Sequence, residues 1–302
     1  MKTQQQRIRE TYDWLDKLIR ASLGEFPDFS GAVYDGDYSL TLEQAQCRKH
    51  DYILRSVKFE PGMRVLDIGS GWSPMLKKIK ERGGYPVGIT LSPVQAAHSK
   101  RHGFDVFLGD WKDLNPDDLG LFGAVISVGA FEHFCNIDEY RAGEQDAIYK
   151  EYFSFVNKLL PVGGRHYLQT MTWGRNHPQY EDISLNAPID SPEYIVAHLN
   201  TYYVSSGWLP YGVGHIMENA NGFELISANS GRLDYIRTLA HWREQFQKAS
   251  VRKIAPMIEI AIRYLASNSF RDRMRSSRTG AQLKAFENEV FEHTRMVLEK
   301  SS

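Results

Sequence analysis

Apolar residues recur at spacings of three and four between residues 4 and 23, with Ile8, Tyr12, Leu15, Ile19 and Leu23 on one face. That period predicts an amphipathic helix, which either folds back as a lid or simply packs on the domain behind it. The following stretch, FPDFSGAVYDGDYS, has no period and reads as a loop. Thr41 then opens a second helix that runs to about Val57, and Gln44 completes a capping box three positions on.

From Met63 the pattern switches to short apolar runs separated by helical stretches. MRVLDIG, YPVGITL, GFDVFLGD, GAVISVGA and RHYLQTMTW read as strands. GAVISVGA is nearly continuous in apolar residues, as a strand buried on both faces should be. Helices are expected from Ser73, with Pro74 in the first turn, from Ser92, and over 145–160. Ser92, Pro93 and Gln95 read as a second capping box with proline at the first helical position. The alternation predicts an α/β fold, a doubly wound, mostly parallel sheet.

Residues 173–212 break this rhythm with Pro178, Pro188, Pro192, Pro210 and many aromatics, and read as an inserted cap over the C-terminal edge of the sheet. A helix near 213–221 and a strand near 223–230 are expected to close the sheet. From about Tyr235 to the end the chain reads as helical. The expected organisation is a helical lid and loop over 1–58, a core over 59–172, the cap over 173–212, and sheet completion with C-terminal helices over 213–302.

Composition narrows the function. Hydrophobic residues make up 42% and charged residues 24%, which suits an ordinary globular protein. A net charge of -1 gives no bulk attraction to nucleic acid or anionic lipid. Cys47 and Cys135 are far apart and in no metal-binding spacing, so neither a disulfide framework nor a zinc site is expected from them. The opening MKTQQQRIRE is too polar for a signal peptide, and no apolar run approaches the ~18 residues that span a bilayer. These features predict a cytoplasmic protein without an integral membrane span.

The candidate chemistry centres on VLDIGSGW, residues 65–72, a strand that ends in a glycine turn. Ligands of open α/β sheets bind beyond the carboxyl ends of the strands. Gly69 and Gly71 allow close backbone approach. Pro74 stands where a dinucleotide fingerprint needs its third glycine, and no P-loop lysine follows, so nicotinamide and nucleotide-phosphate readings are disfavoured. Asp67 at the strand end suits an ammonium group. Asp110 and Trp111 follow the third strand, where an aromatic ring suits adenine. Together these are the needs of S-adenosylmethionine (SAM).

YSLTLEQAQ, PGMRVLDIGSGW, VGITLSPVQ, the tryptophan of GDW, SVGAFEHF, YLQT, SGWLP and LDYIRTLAHW occur in this order over roughly residues 34–245. In these motifs the chain resembles the cyclopropane-fatty-acid and mycolic-acid cyclopropane synthase family of SAM-dependent methyltransferases. The resemblance implies a Rossmann-like class I methyltransferase that converts SAM to S-adenosylhomocysteine. It places Gly69 and Gly71 beside the methionine part, Thr90, Leu91 and Gln95 at the ribose, Trp111 over the adenine and Tyr34 over the carboxylate, with Asp110 and Val128 also at the cofactor.

The family reaction methylates an alkene through a carbocation that then loses a proton. Phe131, Tyr202, Tyr203 and Trp208 are candidate substrate contacts, since a cation favours an aromatic, water-poor pocket. The resemblance implies Glu132, Tyr235 and Gln169 as catalytic positions. In the fatty-acyl enzymes a bound bicarbonate is the base, held by a cysteine, a glutamate, a histidine and a tyrosine. This chain has Gly36 at the cysteine position and Gln169 at the histidine position, so bicarbonate affinity is expected to fall. Glu132 is then the best remaining base or cation stabiliser. His133 is set aside because its side chain is expected to diverge from that of Glu132.

Members with an altered cradle include teleocidin-type C-methyltransferases of specialised metabolism that act on prenyl chains. The resemblance therefore favours a hydrophobic prenylated or terpenoid substrate, with cyclopropane or methyl-branched acyl synthesis as the alternative. A SAM-binding scaffold without catalysis is disfavoured by Glu132 and Tyr235. The reaction implies no metal. Self-association is expected; residues 4–23 could cover their own active site or a neighbour's, and a swapped helix would favour an assembly.

Overall fold

The computed structural model describes residues 16–202, 207–268, 270–271, 274 and 280–301. The predicted strands form as β1 (Arg64–Ile68), β2 (Tyr85–Thr90), β3 (Asp105–Leu108), β4 (Ala124–Val128), β5 (Arg165–Trp173) and β6 (Phe223–Ser230), and a seventh, β7 (Phe291–Lys300), ends the chain. The sheet order is β3-β2-β1-β4-β5-β7-β6. Strands β1 to β5 are mutually parallel, with Leu66 level with Val87 on one side and Val125 on the other.

Helices cover both faces. They are α1 (16–23), α2 (Leu42–Ser56), α3 (Pro74–Glu81), α4 (Pro93–Arg101), α5 (Pro116–Leu119), α6 (Ile137–Arg141), α7 (Gln145–Leu159), α8 (Pro192–Tyr202), α9 (Gly212–Asn219), α10 (Arg232–Gln247), α11 (Ile254–Ala266) and α12 (Ala281–Glu287). Alternate residues of β4 supply the two core layers. Val125 packs with Leu66, Leu168 and Phe153, while Ala124 and Ile126 pack with Val65, Tyr167 and Ile53. That alternation is the period of two of an extended strand, and it explains why β4 carries apolar residues at consecutive positions.

Helix starts follow local chemistry. Thr41 and Gln44 make the expected reciprocal cap of α2. Pro74 and Pro93 occupy the first positions of α3 and α4, where a missing N–H is harmless. The second capping box forms only by half. The Ser92 hydroxyl accepts from the Gln95 N–H at 3.2 Å, but the Gln95 side chain turns away to accept from the Thr90 hydroxyl at 2.8 Å.

The C-terminus departs from expectation. It is helical through α10, α11 and α12 but ends in β7, which lies antiparallel between β5 and β6. β6 is therefore an edge strand that joins the sheet through β7, not directly onto β5. The reason lies in burial: β7 is covered from His293 to Leu298, so its polar and apolar residues do not alternate legibly. Of the N-terminal helix, residues 4–15 lie outside the described residues. Its last part, α1, docks on the glycine turn, where Asp16 accepts from the Trp72 indole N–H at 2.6 Å and from Arg20 at 2.8 and 3.0 Å.

Within 173–212, α8 contributes buried Ile195, Val196 and Leu199 to a cluster with Trp173, Trp208, Trp242 and Phe286. No helix among the described residues is long and apolar enough to cross a membrane.

Candidate active site

The chain reverses its direction across the sheet between β1 and β4, with β2 and β3 on one side and β5 on the other. Loops leaving the carboxyl ends of adjacent strands diverge at such a point and leave a crevice. A cavity of about 600 Å³ occupies it. This is a volume suited to a small molecule or cofactor.

Its floor is the glycine turn after β1. Gly69 and Gly71 have φ of +86° and +53°, a region that side-chain-bearing residues rarely adopt. A Cβ on Gly69 would come within 2.6 Å of Ala130 Cβ, so the turn also needs glycine for packing. Thr90, Leu91 and Gln95 line the cavity from β2 and α4, Asp110 and Trp111 from the end of β3, and Val128 from the end of β4. The Asp110 carboxylate accepts from the Lys112 N–H at 3.1 Å, which turns the chain and sets Trp111 against Phe134, Tyr152 and Phe155. Nine of the ten expected cofactor positions, Asp67 among them, thus line one cavity.

Tyr34 is the exception. It is fully buried beside Ala32 and Ala45, and its hydroxyl meets His241 Nδ1 at 2.8 Å, away from the cavity lining. The wall expected from Tyr34 comes instead from Pro27, Asp28, Phe29 and Ser30.

Asp67 is buried at the end of β1. Burial, reinforced by the charge of Asp28 and opposed by Lys49, pushes its carboxyl up to about 7. Lys49, on α2, donates to Asp28 Oδ2 and to the Ser30 hydroxyl, both at 2.6 Å, and His50 Nε2 meets the same Asp28 oxygen at 2.7 Å. Burial opposes the Asp28 charge, but Lys49 and His50 outweigh it and hold the carboxyl well below the usual range. Sequence reasoning missed Asp28, Lys49 and His50. No motif marked them, though α2 periodicity places Lys49 on the helix's buried face, an informative place for a lysine.

The expected catalytic residues stand behind this cavity and do not line it. Glu132 is buried, and its Oε2 accepts from the Thr170 hydroxyl at 2.8 Å. Burial raises its carboxyl, against the nearby His133. Gln169 is fully buried and spent on the fold: its amide N–H donates to the Gly31 carbonyl at 2.9 Å, and its oxygen accepts from Tyr167 at 3.0 Å. Gln169 and Thr170 are neighbours on a strand and project to opposite faces, so Gln169 and the carboxylate held by Thr170 are separated. Tyr235 stacks on His293 with ring centroids 4.6 Å apart. His293 is buried with no partner for its Nδ1, and sequence reading missed it because β7 was expected to be helical. Gly36, with φ of +79°, sits in an exposed turn with open space where a side chain would begin.

The expected substrate aromatics are corrected more heavily. Phe131 is fully buried and stacks on Tyr149 at 4.5 Å. Trp208 is buried against Tyr140 at 4.4 Å, its indole N–H donating to the Tyr211 hydroxyl. Both are core residues. Tyr202 packs beside His198 at the end of α8, and Tyr203 lies outside the described residues. The aromatic wall of the cavity is Phe29, Trp72, Trp111 and Phe134; His133 lines it while Glu132 does not, so the two side chains diverge, but it is His133 that faces the cavity.

A glycine-floored crevice with a buried carboxylate at one end and a tryptophan at the other fits the ammonium and adenine of SAM. The fold and the site define a class I SAM-dependent methyltransferase, and SAM is its cofactor. The mycolic acid cyclopropane synthetase family model matches residues 1–276, and the chain belongs to that family. It is 30% identical over 252 residues to cyclopropane mycolic acid synthase 3 of Mycobacterium tuberculosis, covering 78% of this chain and 79% of the relative. The crystal structure of mycolic acid cyclopropane synthase CmaA1 complexed with SAH and CTAB superposes with a TM-score of 0.77 at 24% identity, covering 99% of both chains. The structure of geranyl diphosphate methyltransferase in complex with GPP and sinefungin has a TM-score of 0.63 at 12% identity, covering 99% of this chain and 100% of that one, a likeness of fold alone.

Proposed function

We propose that this methyltransferase acts on an alkene carbon of a hydrophobic prenylated or terpenoid small molecule, through a carbocation that loses a proton or closes a ring. The observation that carries the reading is the commitment of Gln169. Its amide is bound to Gly31 and Tyr167 at the position where the fatty-acyl enzymes hold bicarbonate with a histidine. Gly36 brings no thiol to the second position. An enzyme without that anion site needs a base of its own.

When bound, SAM supplies an electrophilic methyl group. Asp67 holds its ammonium, the turn at Gly69 and Gly71 lies along its methionine part with Val128, Thr90, Leu91 and Gln95 meet the ribose, and Asp110 and Trp111 enclose the adenine. Phe29, Trp72 and Phe134 exclude water, and their ring faces stabilise positive charge on a substrate. The proton acceptor in this reading is Glu132, which stands directly behind the cavity wall at Gly129, where a Cβ would lie 3.7 Å from its Oε1. Its burial raises its affinity for a proton, and the Thr170 hydroxyl fixes its orientation. Tyr235 and His293 form a second aromatic face behind Gly31. The exposed Met257, Ile258, Ile262 and Leu265 of α11 support self-association.

Asp67 gives the cofactor site a pH signature. Below about 7 the carboxyl is protonated and cannot pair with an ammonium, so SAM binding tightens as pH rises through about 7. It weakens again above about 8, where an α-amino group loses its own proton. Titration calorimetry across this range checks the curve, and Asp67→Asn is expected to abolish its acidic limb.

The second reading, synthesis of cyclopropane or methyl-branched acyl chains, is favoured by the curated relatives, which are named for mycolic acids. Turnover in bicarbonate-free buffer separates the two. The prenyl reading predicts the same rate with and without added bicarbonate, and a rate that collapses on bicarbonate removal would restore the lipid reading.

A further inference from the structure

On the outer side of the cofactor cavity, one helix and one loop bring together two histidines and a carboxylate. His98 lies on α4 and His102 caps the end of that helix, four residues on, so both rings share one face. Glu25 reaches them from the loop after α1. Glu25 Oε1 is 3.6 Å from His98 Nδ1 and 3.2 Å from His102 Nε2, and all three ligand atoms lie within 4.8 Å of one another. His98 is the telling residue. It is fully buried, yet neither of its ring nitrogens has a hydrogen-bond partner. A buried imidazole left without partners carries a desolvation cost that folding alone does not explain.

We propose that Glu25, His98 and His102 bind one divalent transition-metal ion, zinc by the chemistry of its ligands, which ties the N-terminal segment to α4. Two ligands 2.0–2.2 Å from a tetrahedral zinc stand about 3.4 Å apart, and the two distances from Glu25 bracket that separation. Imidazole and carboxylate are ordinary zinc ligands, and a histidine pair four residues apart on a helix presents both to one ion. Phe26 packs edge-on against both imidazoles, at 5.4 and 4.6 Å, and restricts their rotation. Of the cations nearby, Arg20 is engaged by both oxygens of Asp16. An ion pair between Glu25 and His102 would explain those two residues but leave His98 unaccounted for. The half-exposed Glu25 leaves room for water at the fourth position.

The ion would be structural and separate from methyl transfer. Pro27 to Ser30, just beyond Glu25, form one wall of the cofactor cavity, and Gln95 of α4 with its capping Ser92 forms another. A metal joining Glu25 to α4 therefore joins the two walls.

The test uses the full chain after chelator treatment, with Co²⁺ as probe and Zn²⁺ as competitor. The expected result is one equivalent of Co²⁺ bound with the visible absorption of tetrahedral coordination, displaced by Zn²⁺, and a higher thermal midpoint with Zn²⁺ than without. Glu25→Gln and His102→Asn alter solvent-reaching side chains, so both should fold like the parent without metal. Each should weaken binding by at least about tenfold and lose the thermal shift. Absence of the Co²⁺ spectrum in the parent, or undiminished binding in both variants, overturns the proposal.

Discussion

Glu132→Gln is expected to lower kcat by about 10²–10⁴-fold, the range of a lost general base, with SAM affinity unchanged. The substitution keeps the shape and the contact with Thr170, whose hydroxyl can still donate to the amide oxygen. It removes the capacity to take up a proton in a buried place and replaces one acceptor oxygen of a carboxylate that also accepts from the Glu132 and Met171 backbone. Steady-state kinetics combined with calorimetric SAM binding would distinguish this from a general disturbance. An unchanged kcat would move the base to another group, and His293 beside Tyr235 is the next candidate, a buried imidazole kept neutral by burial and by Arg295 and Lys49.

The second large effect is on stability. Lys49→Met is expected to cost about 3–5 kcal/mol, the usual result of breaking a buried ion pair from one side. Methionine fills the volume of the lysine stem, so the loss reports the ammonium and its bonds to Asp28 and Ser30. Asp28 would lose the lysine that donates to it at 2.6 Å, and Asp67 would lose the one cation that opposes its elevated proton affinity. Both carboxylates would then take up protons more readily. The SAM site should suffer too, because an uncharged Asp67 no longer attracts an ammonium. Denaturant unfolding at neutral pH checks the stability loss. Recovery of part of that loss in the Lys49→Met, Asp28→Asn double variant would show that the stranded carboxylate, not packing, is responsible.

The legible part of this protein is the part made by local rules. Strands β1 to β5 and the helices between them follow from apolar runs, two prolines at helix starts and the Thr41 cap. The glycine turn, Thr90, Gln95 and Trp111 follow from motifs, and these meet in one crevice because strand order forces them to. What failed depends on distant partners. β7 is unreadable as a strand because its burial comes from β5 and β6 on its flanks and the layers above and below. Phe131 and Trp208 were expected in a binding pocket because aromatics serve both purposes, and only packing tells them apart. Lys49 and Asp28 lie 21 residues apart and carry no motif, so their pairing is visible only in three dimensions. His293 was hidden by the same misreading that hid β7.

The substrate proposed for this family member is a prenylated small molecule, not an acyl lipid. The direct measurement offers methyl-labelled SAM to the enzyme with unsaturated phospholipid vesicles in one panel and soluble prenylated compounds, such as geranyl diphosphate and geranylated indoles, in the other. The account predicts label in a prenylated product and none in the acyl chains. Label confined to the acyl chains would contradict it, and would mean that Gly36 and Gln169 are compatible with the lipid reaction.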